Sequence, residues 1–257
     1  MKIVLIGAGN LATNLGKALL SAGHDIIQVY SRTMESAYHL ANIVGGAPTI
    51  DIENINQNAD LYIVSVKDSV LCDLLPKLCK GKENKVVVHT AGSIPMDVFI
   101  GMSLHYGVLY PIQSFSKSKD VDFMKTPCFI EGNDGYTIKI LIDVCNSISN
   151  HVTYLSSEDR KYVHLSAVFA CNFVNHCYDI AADILQKHNI SFDVLLPLID
   201  ETAYKVHSLS PHKAQTGPAM RYDENIIRSQ SILLHDNPLV KDLYERLSMN
   251  IHRNAIK

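Results

Sequence analysis

The sequence predicts an α/β domain with a mainly parallel sheet over residues 1–155, followed by an all-helical domain over residues 156–257. From Met1 to about Leu155, short β-branched runs alternate with helical patterns, the rhythm of a parallel sheet with helices on both faces. Several of those runs are apolar at almost every position, as expected of strands covered on both sides. After Leu155 nothing reads as a convincing strand, while helix start and stop signals recur.

The strand candidates are Ile3–Ile6, Ile26–Tyr30, Leu61–Val66, Lys85–His89, Leu104–Leu109, Cys128–Glu131 and His151–Tyr154. Between the first two lies a helix, Asn10–Ser21, with Leu11, Leu15, Ala18 and Leu19 on one face and Gly23 as its stop. Ser156 followed by Asp159 marks the N-cap of a helix running to about His188, long for a globular domain and apolar on more than one side from Val163 to Leu185. Such a helix is expected to be wrapped by other helices or by a second subunit. Shorter helices are expected at about Ser191–His207, bent at Pro197, at Asp223–His235, and from Asn237 with Pro238 in the first position.

The formal charge of −3 and the scatter of lysines and arginines leave no basic footprint for a nucleic acid. A small-molecule partner fits better. No stretch is long and apolar enough to span a bilayer. Six cysteines without a C-x-x-C pair, and a chain that enters a strand pattern at Lys2, lead to the expectation of a cytoplasmic protein with reduced thiols. None of the twelve histidines stands in an H-x-x-x-H or H-E-x-x-H arrangement beside suitable carboxylates, so no metal is expected.

Gly7-Ala8-Gly9-Asn10-Leu11-Ala12 matches G-x-G-x-x-A, directly after an apolar strand and opening an amphipathic helix. That context is expected of the dinucleotide-binding turn of a Rossmann-type domain; the alternative is an ordinary strand-to-helix turn. Gly7 permits the tight turn, Gly9 lets the backbone reach a pyrophosphate, and the N–H groups of Asn10 and Leu11 open the helix toward it. NAD enzymes usually place an acid at the end of the second strand, on the ribose 2′-hydroxyl. Here that strand ends Tyr30-Ser31-Arg32-Thr33, without a carboxylate. Arg32, with the Ser31 and Thr33 hydroxyls, would bind a 2′-phosphate, which favours NADP(H); the alternative is that Arg32 is a solvated surface arginine. Ser65 and Val66, short residues after the Leu61 strand, would let the dinucleotide lie across the strand end.

On those residues the whole chain resembles the superfamily of 6-phosphogluconate dehydrogenase and pyrroline-5-carboxylate reductase. More closely, it is similar to a family of Rossmann-like oxidoreductases with a C-terminal domain of unknown function. The resemblance rests on Gly7–Ala12, on Val87–Ser93, on Gly107–Ser116 and on Thr216–Asp223. It implies a helical second domain like that of 6-phosphogluconate dehydrogenase, a homodimer built on the long helix, and an active site between the nicotinamide and the helical domain. It also implies similarity to NADP-dependent reductases.

Several side chains are candidates for the chemistry. On an ideal helix with Lys161 at zero, Asn172 falls near roughly 20°, His164 near −60° and His176 near 60°. This polar face either meets substrate, with His164 or Lys161 supplying a proton and Asn172 holding an oxygen or nitrogen, or caps neighbouring helices or satisfies buried backbone at a dimer contact. The β-hydroxyacid dehydrogenases of the superfamily carry a catalytic lysine four residues before a helical asparagine, and relative to Asn172 that position is Val168. Thr90 and Ser93 follow the Lys85–His89 strand at the edge where open α/β sheets bind ligands; they either touch substrate or the nicotinamide carboxamide, or stabilise their own loop. Tyr110-Pro111-Ile112-Gln113 follows another strand, and Gln113 is either a neutral group lining the cleft or a structural bond. Arg221, after Thr216-Gly217-Pro218, anchors an anionic substrate group or pairs with Asp223.

These readings converge on an NADP(H)-dependent oxidoreductase acting on a small carbonyl, imine or hydroxy compound. The alternative is a non-catalytic, dimeric NADP(H)-binding sensor or scaffold, which Val168 keeps open.

Overall fold

The computed structural model of the protein describes residues 1–256. The chain forms two compact units, one spanning Met1–Asn172 and the other beginning at Phe173.

The first unit is built on an eight-stranded sheet of β1 (Lys2–Ile6), β2 (Asp25–Tyr30), β3 (Ala47–Thr49), β4 (Leu61–Val64), β5 (Val86–His89), β6 (His105–Pro111), β7 (Cys128–Gly132) and β8 (Val152–Tyr154), in the order β3-β2-β1-β4-β5-β6-β7-β8. Every neighbouring pair is parallel except β6 with β7. Four helices pack on it: α1 (Asn10–Ser21), α2 (Met34–Val44), α3 (Asp68–Cys79) and α4 (Gly135–Ile148). Alternation along the strands divides the core. Ile3, Leu5, Leu61, Ile63, Val86 and Val88 pack with residues of α1, α2 and α4. Val4, Ile6, Tyr62, Val64 and Val87 pack with residues of α3 and with Phe99. Both faces are thus buried, which is why the strands read as unbroken apolar runs.

All seven expected strands form, and β3 is additional. It has three residues at the sheet edge and contains Pro48 opposite Val29, a place where a missing N–H costs no ladder bond. The expected long helix begins where its cap predicts, the Ser156 hydroxyl accepting from Asp159 N at 3.1 Å. It is not uniform. α5 (Ser157–Ala167) is followed by a π-helical segment, Val168–Phe173, and then by α6 (Val174–Lys187). A π turn holds more residues than an α turn. Within Val168–Phe173 the ideal-helix angle expected for Asn172 therefore does not apply.

The second unit contains α6, α7 (Leu196–Lys205), α8 (Pro211–Ala214), α9 (Pro218–Arg221), α10 (Glu224–Leu233) and α11 (Pro238–Ala255). The predicted caps hold at α10 and α11, where Asp223 accepts from Ile226 N at 3.3 Å and Asn237 from Val240 N at 3.2 Å. Pro197 does not bend a helix running from Ser191. A 3-10 turn covers Phe192–Leu195 and the proline sits in the first turn of α7, where its missing N–H is harmless. α8 and α9 were not expected from the sequence. Among the described residues of this unit only Ala219, Ser231 and Ser248 are buried, while Val194, Leu198, Leu233 and Leu239 are well exposed.

Two buried polar groups shape the carboxyl edge of the sheet in the first unit. Arg160 of α5 is 1% exposed and pairs at 2.6 Å with Glu131 of β7, itself 4% exposed. The guanidinium also donates to Ile94 O at 2.6 Å and to Ser157 Oγ at 3.1 Å. Glu131 in turn accepts from Ser157 N at 2.8 Å and Ser157 Oγ at 2.6 Å, and Ser157 Oγ accepts from Met96 N at 3.0 Å. The network ties the first turn of α5 to β7 and to the loop after β5. His89, the last residue of β5, is fully buried and stacks on Phe99. Its Nδ1 accepts from Ala91 N at 3.1 Å and its Nε2 lies 3.3 Å from Pro95 O, so the ring fits as the neutral Nε2–H tautomer. Burial, helped by the nearby Arg160 charge, pulls its pKa down to about 4.

A depressed histidine pKa means that the unfolded chain takes up a proton the folded chain refuses. Stability is therefore unaffected above pH 6.5 and is lost as the pH falls from there toward 4. Between pH 7 and 4.5, urea unfolding should show the protein losing about 2 kcal/mol more than a His89→Asn variant. Parallel losses in the two proteins would contradict a neutral, buried His89.

Candidate active site

The turn between β1 and α1 is set by a close backbone approach. Gly7 has φ +117°, and a Cβ there would lie 2.1 Å from the carbonyl oxygen of Ser65, so no other residue fits. Its N–H donates to Tyr30 O at 2.8 Å, which fixes the turn against the end of β2. Gly9 differs, because a Cβ there would meet nothing within 4 Å. Its bare position leaves space in front of α1, whose N-terminus carries no side-chain cap and no acid in its first turn. The first of the helical N–H groups to find its acceptor is that of Thr13, on Gly9 O at 3.0 Å. The N–H groups of Asn10, Leu11 and Ala12 precede it, and such groups suit a pyrophosphate. Leu11 and Ala12 turn their side chains into the core, so their part is backbone only.

Asn14, which the sequence reading passed over, secures this turn. It is buried and donates through Nδ2 to Asn10 O and to Ser116 O, both at 2.9 Å. Part of the Gly107–Ser116 motif thus fastens the loop after β6 to α1.

At the end of β2, Ser31 donates through its N–H to Thr49 O at 3.1 Å, and Arg32 is exposed and forms no ion pair among the described residues. The Thr33 hydroxyl is occupied. It caps α2 by accepting from Ser36 N at 3.4 Å, and it donates to Ser36 Oγ at 3.0 Å. The first acid after the strand is Glu35, in the first turn of α2. Arg32 thus leaves its guanidinium open to solvent at this strand end, with Ser31 beside it.

Along the ends of β4, β5 and β6 a second set of groups comes together. Thr90 is buried and its hydroxyl donates to Ser65 Oγ at 3.2 Å. Ser93 donates to the Asp68 carboxylate at 2.5 Å, bridging the loop after β5 to the start of α3. Between them lies Gly92, where a Cβ would sit 2.5 Å from Nδ1 of His164. The imidazole occupies that space, and its Nδ1 is 2.9 Å from the hydroxyl of Tyr110, near the end of β6. Burial raises the Tyr110 pKa, with the Arg160 charge opposing, so the phenol stays protonated. His164 stands one helical turn after Arg160, and the buried ion pair that docks α5 therefore also delivers this ring.

Other candidates lie apart from this cluster. Lys161 is on the exposed side of α5, paired with Glu158 and 5.3 Å over the Tyr162 ring. The Glu158 hydrogen bond raises its pKa, which opposes proton donation near neutrality. Gln113 is exposed and its Oε1 accepts from Ser114 N at 2.8 Å within its own turn. Asn172 is exposed within the π segment. Arg221 is exposed in the second unit and is not paired with Asp223, which caps α10 instead. Asp68, Glu131 and Arg160 were missed by the sequence reading. Only the four-residue spacing of Arg160 and His164 on one helical face hinted at a shared orientation.

Comparison with known proteins places these features in a family. The family described as NADP oxidoreductase coenzyme F420-dependent matches residues 2–92, and the domain of unknown function DUF2520 matches residues 126–251. No curated protein matches the chain. Among solved structures, a Bacteroides fragilis protein described as a candidate NADP oxidoreductase is 54% identical over 98% of both chains, with a TM-score of 0.95. The protein TM1727 from Thermotoga maritima is 20% identical over 99% of this chain and 100% of its own, with a TM-score of 0.79. An imine reductase from Myxococcus stipitatus, solved with NADP+, shares the fold at 14% identity and a TM-score of 0.70, over 100% of this chain and 94% of its own. The chain belongs to the NADP oxidoreductase family that joins a dinucleotide-binding N-terminal domain to the C-terminal domain DUF2520.

Proposed function

We propose that this protein is an NADP(H)-dependent oxidoreductase that moves hydride to or from a small carbonyl, imine or hydroxy compound. The observation that carries the reading is one strand edge holding both halves of such a site. The uncapped N-terminus of α1 lies at the end of β1, and the Tyr110–His164 pair lies at the end of β6, beside the loop that follows β5. Open α/β sheets bind ligands at that edge. Gly7, Gly9, Asn10 and Leu11 would hold the pyrophosphate, Arg32 and Ser31 the 2′-phosphate, and Ser65 and Val66 would support the dinucleotide from the end of β4. The cofactor supplies the hydride. The protein binds it, orients substrate through Thr90 and Ser93, and meets the reacting heteroatom with His164.

We assign residues 1–155 to cofactor binding and 156–257 to substrate binding and dimerisation. Arg221, exposed and without an ion pair among the described residues, is our candidate for an anionic substrate group, and Asn172 and Gln113 remain candidates for polar contacts. A homodimer through the C-terminal helices is supported by the exposed apolar side chains of that unit and its few buried ones; a monomer in light scattering would remove it. We place the protein in the cytoplasm on its six unpaired cysteines. No helix among the described residues is long and apolar enough to cross a membrane.

Fluorescence titration tests the cofactor. NADPH should bind at least tenfold more tightly than NADH, as about 1.4 kcal/mol from one charge-assisted contact implies, and Arg32→Ala should remove most of the difference. Equal affinities in the unsubstituted protein would contradict the assignment. Tight NADPH binding without turnover across a panel of imines and oxo acids would favour the sensor or scaffold instead.

A further inference from the structure

Which group meets the substrate heteroatom, and in which protonation state, follows from Tyr110. We propose that Tyr110 is a positioning residue that locks His164 as the Nε2–H tautomer, so that the imidazole offers substrate a hydrogen-bond donor. This rests on the oxidoreductase reading and narrows it to reduction of a carbonyl or an unprotonated imine.

The Tyr110 hydroxyl is 2.9 Å from His164 Nδ1, and no other partner for it exists among the described residues. Tyr110 is 7% exposed, and a buried hydroxyl proton without an acceptor is costly. If Nδ1 carried the imidazole proton, the phenol proton would have no acceptor. The phenol therefore donates to Nδ1, and the ring proton resides on Nε2. Nε2 has no partner among the described residues, and it is not one of the sealed, unpartnered atoms of the chain. The ring cannot swing away freely, because Gly92 is packed against its Nδ1 edge and the edge of the Tyr110 ring meets it at a centroid distance of 6.0 Å.

A donor selects its substrate. A carbonyl oxygen or the lone pair of a neutral imine accepts from Nε2–H. A protonated iminium has no lone pair to offer, and an alcohol or amine awaiting oxidation needs a proton acceptor at this position. In the reductive direction, hydride supplied by a bound reduced nicotinamide would form the new C–H bond while the C=O or C=N π pair moved to the heteroatom. Nε2–H holds the developing negative charge. The heteroatom then takes its proton from water, releasing hydroxide, and the imidazole ends the step neutral as it began.

The test reads the tautomer directly and needs no nicotinamide, so it stands or falls separately from the cofactor titration. Two-bond 1H–15N correlation of the 15N-labelled full chain, with His164 assigned by loss of its signals in His164→Gln, distinguishes the two neutral tautomers by the pattern of ring couplings. The expected result is a pyrrole-type Nε2 and a hydrogen-bonded, pyridine-type Nδ1. In Tyr110→Phe the Nδ1 signal should move toward the position of a free pyridine-type nitrogen, or a second tautomer should appear. A pyrrole-type Nδ1 in the unsubstituted protein would overturn the proposal, as would a His164 pattern untouched by a folded Tyr110→Phe variant. Should that variant not fold, the spectrum of the unsubstituted protein decides alone.

Discussion

A guanidinium with 1% of its surface exposed is the constraint around which the first unit is organised. Removing Arg160 from water costs several kcal/mol, and the cost is offset only because Glu131 and the Ile94 carbonyl meet the guanidinium at 2.6 Å each. Removing one partner would strand the other charge, a loss of about 3–5 kcal/mol in comparable buried pairs. The pair gives little net stability but much geometry. Its bonds reach β7, the loop after β5 and the first turn of α5, and one turn further along α5 stands His164.

The ion pair also sets the electrical character of the site. Its two charges cancel locally, and what remains of the Arg160 field acts on neighbours that are better neutral. It helps hold His89 uncharged, and it partly opposes the effect of burial on Tyr110. The edge at the ends of β5 and β6 carries the His164 imidazole, the protonated Tyr110 phenol and the Thr90 and Ser93 hydroxyls, with the glycine turn apart from them at the start of α1. Fixed dipoles of this kind can stabilise a charge that develops during hydride transfer without first binding an ion.

Much of this architecture was legible in the sequence, for reasons specific to each element. The central strands announced themselves because both sheet faces are covered, and α1, α10 and α11 because their glycine turn or caps are local chemistry. β3 was not legible: three edge residues around Pro48 carry no periodicity. The π segment at Val168–Phe173 was equally hidden, since nothing in Val-Phe-Ala-Cys-Asn-Phe departs from an ordinary apolar helix, and it changes the angle expected for Asn172. Within the site, Gly7, Arg32, Thr90, Ser93 and His164 could be nominated by motif or helical position. Arg160 and Glu131 could not, because partners 29 residues apart on different elements share no local pattern. Lys161 and Thr33 illustrate the converse, suitable residue types whose groups are already engaged by Glu158 and by the cap of α2.

The central claim is that cofactor turn and reacting cluster form one site, held along one sheet edge by the docking of α5. Hydrogen–deuterium exchange of the protein with and without NADPH tests it most directly. The account predicts slowed exchange at Asn10 and Leu11 together with slowed exchange across Thr90–Ser93. Protection confined to the turn, with Thr90–Ser93 unchanged, would contradict it.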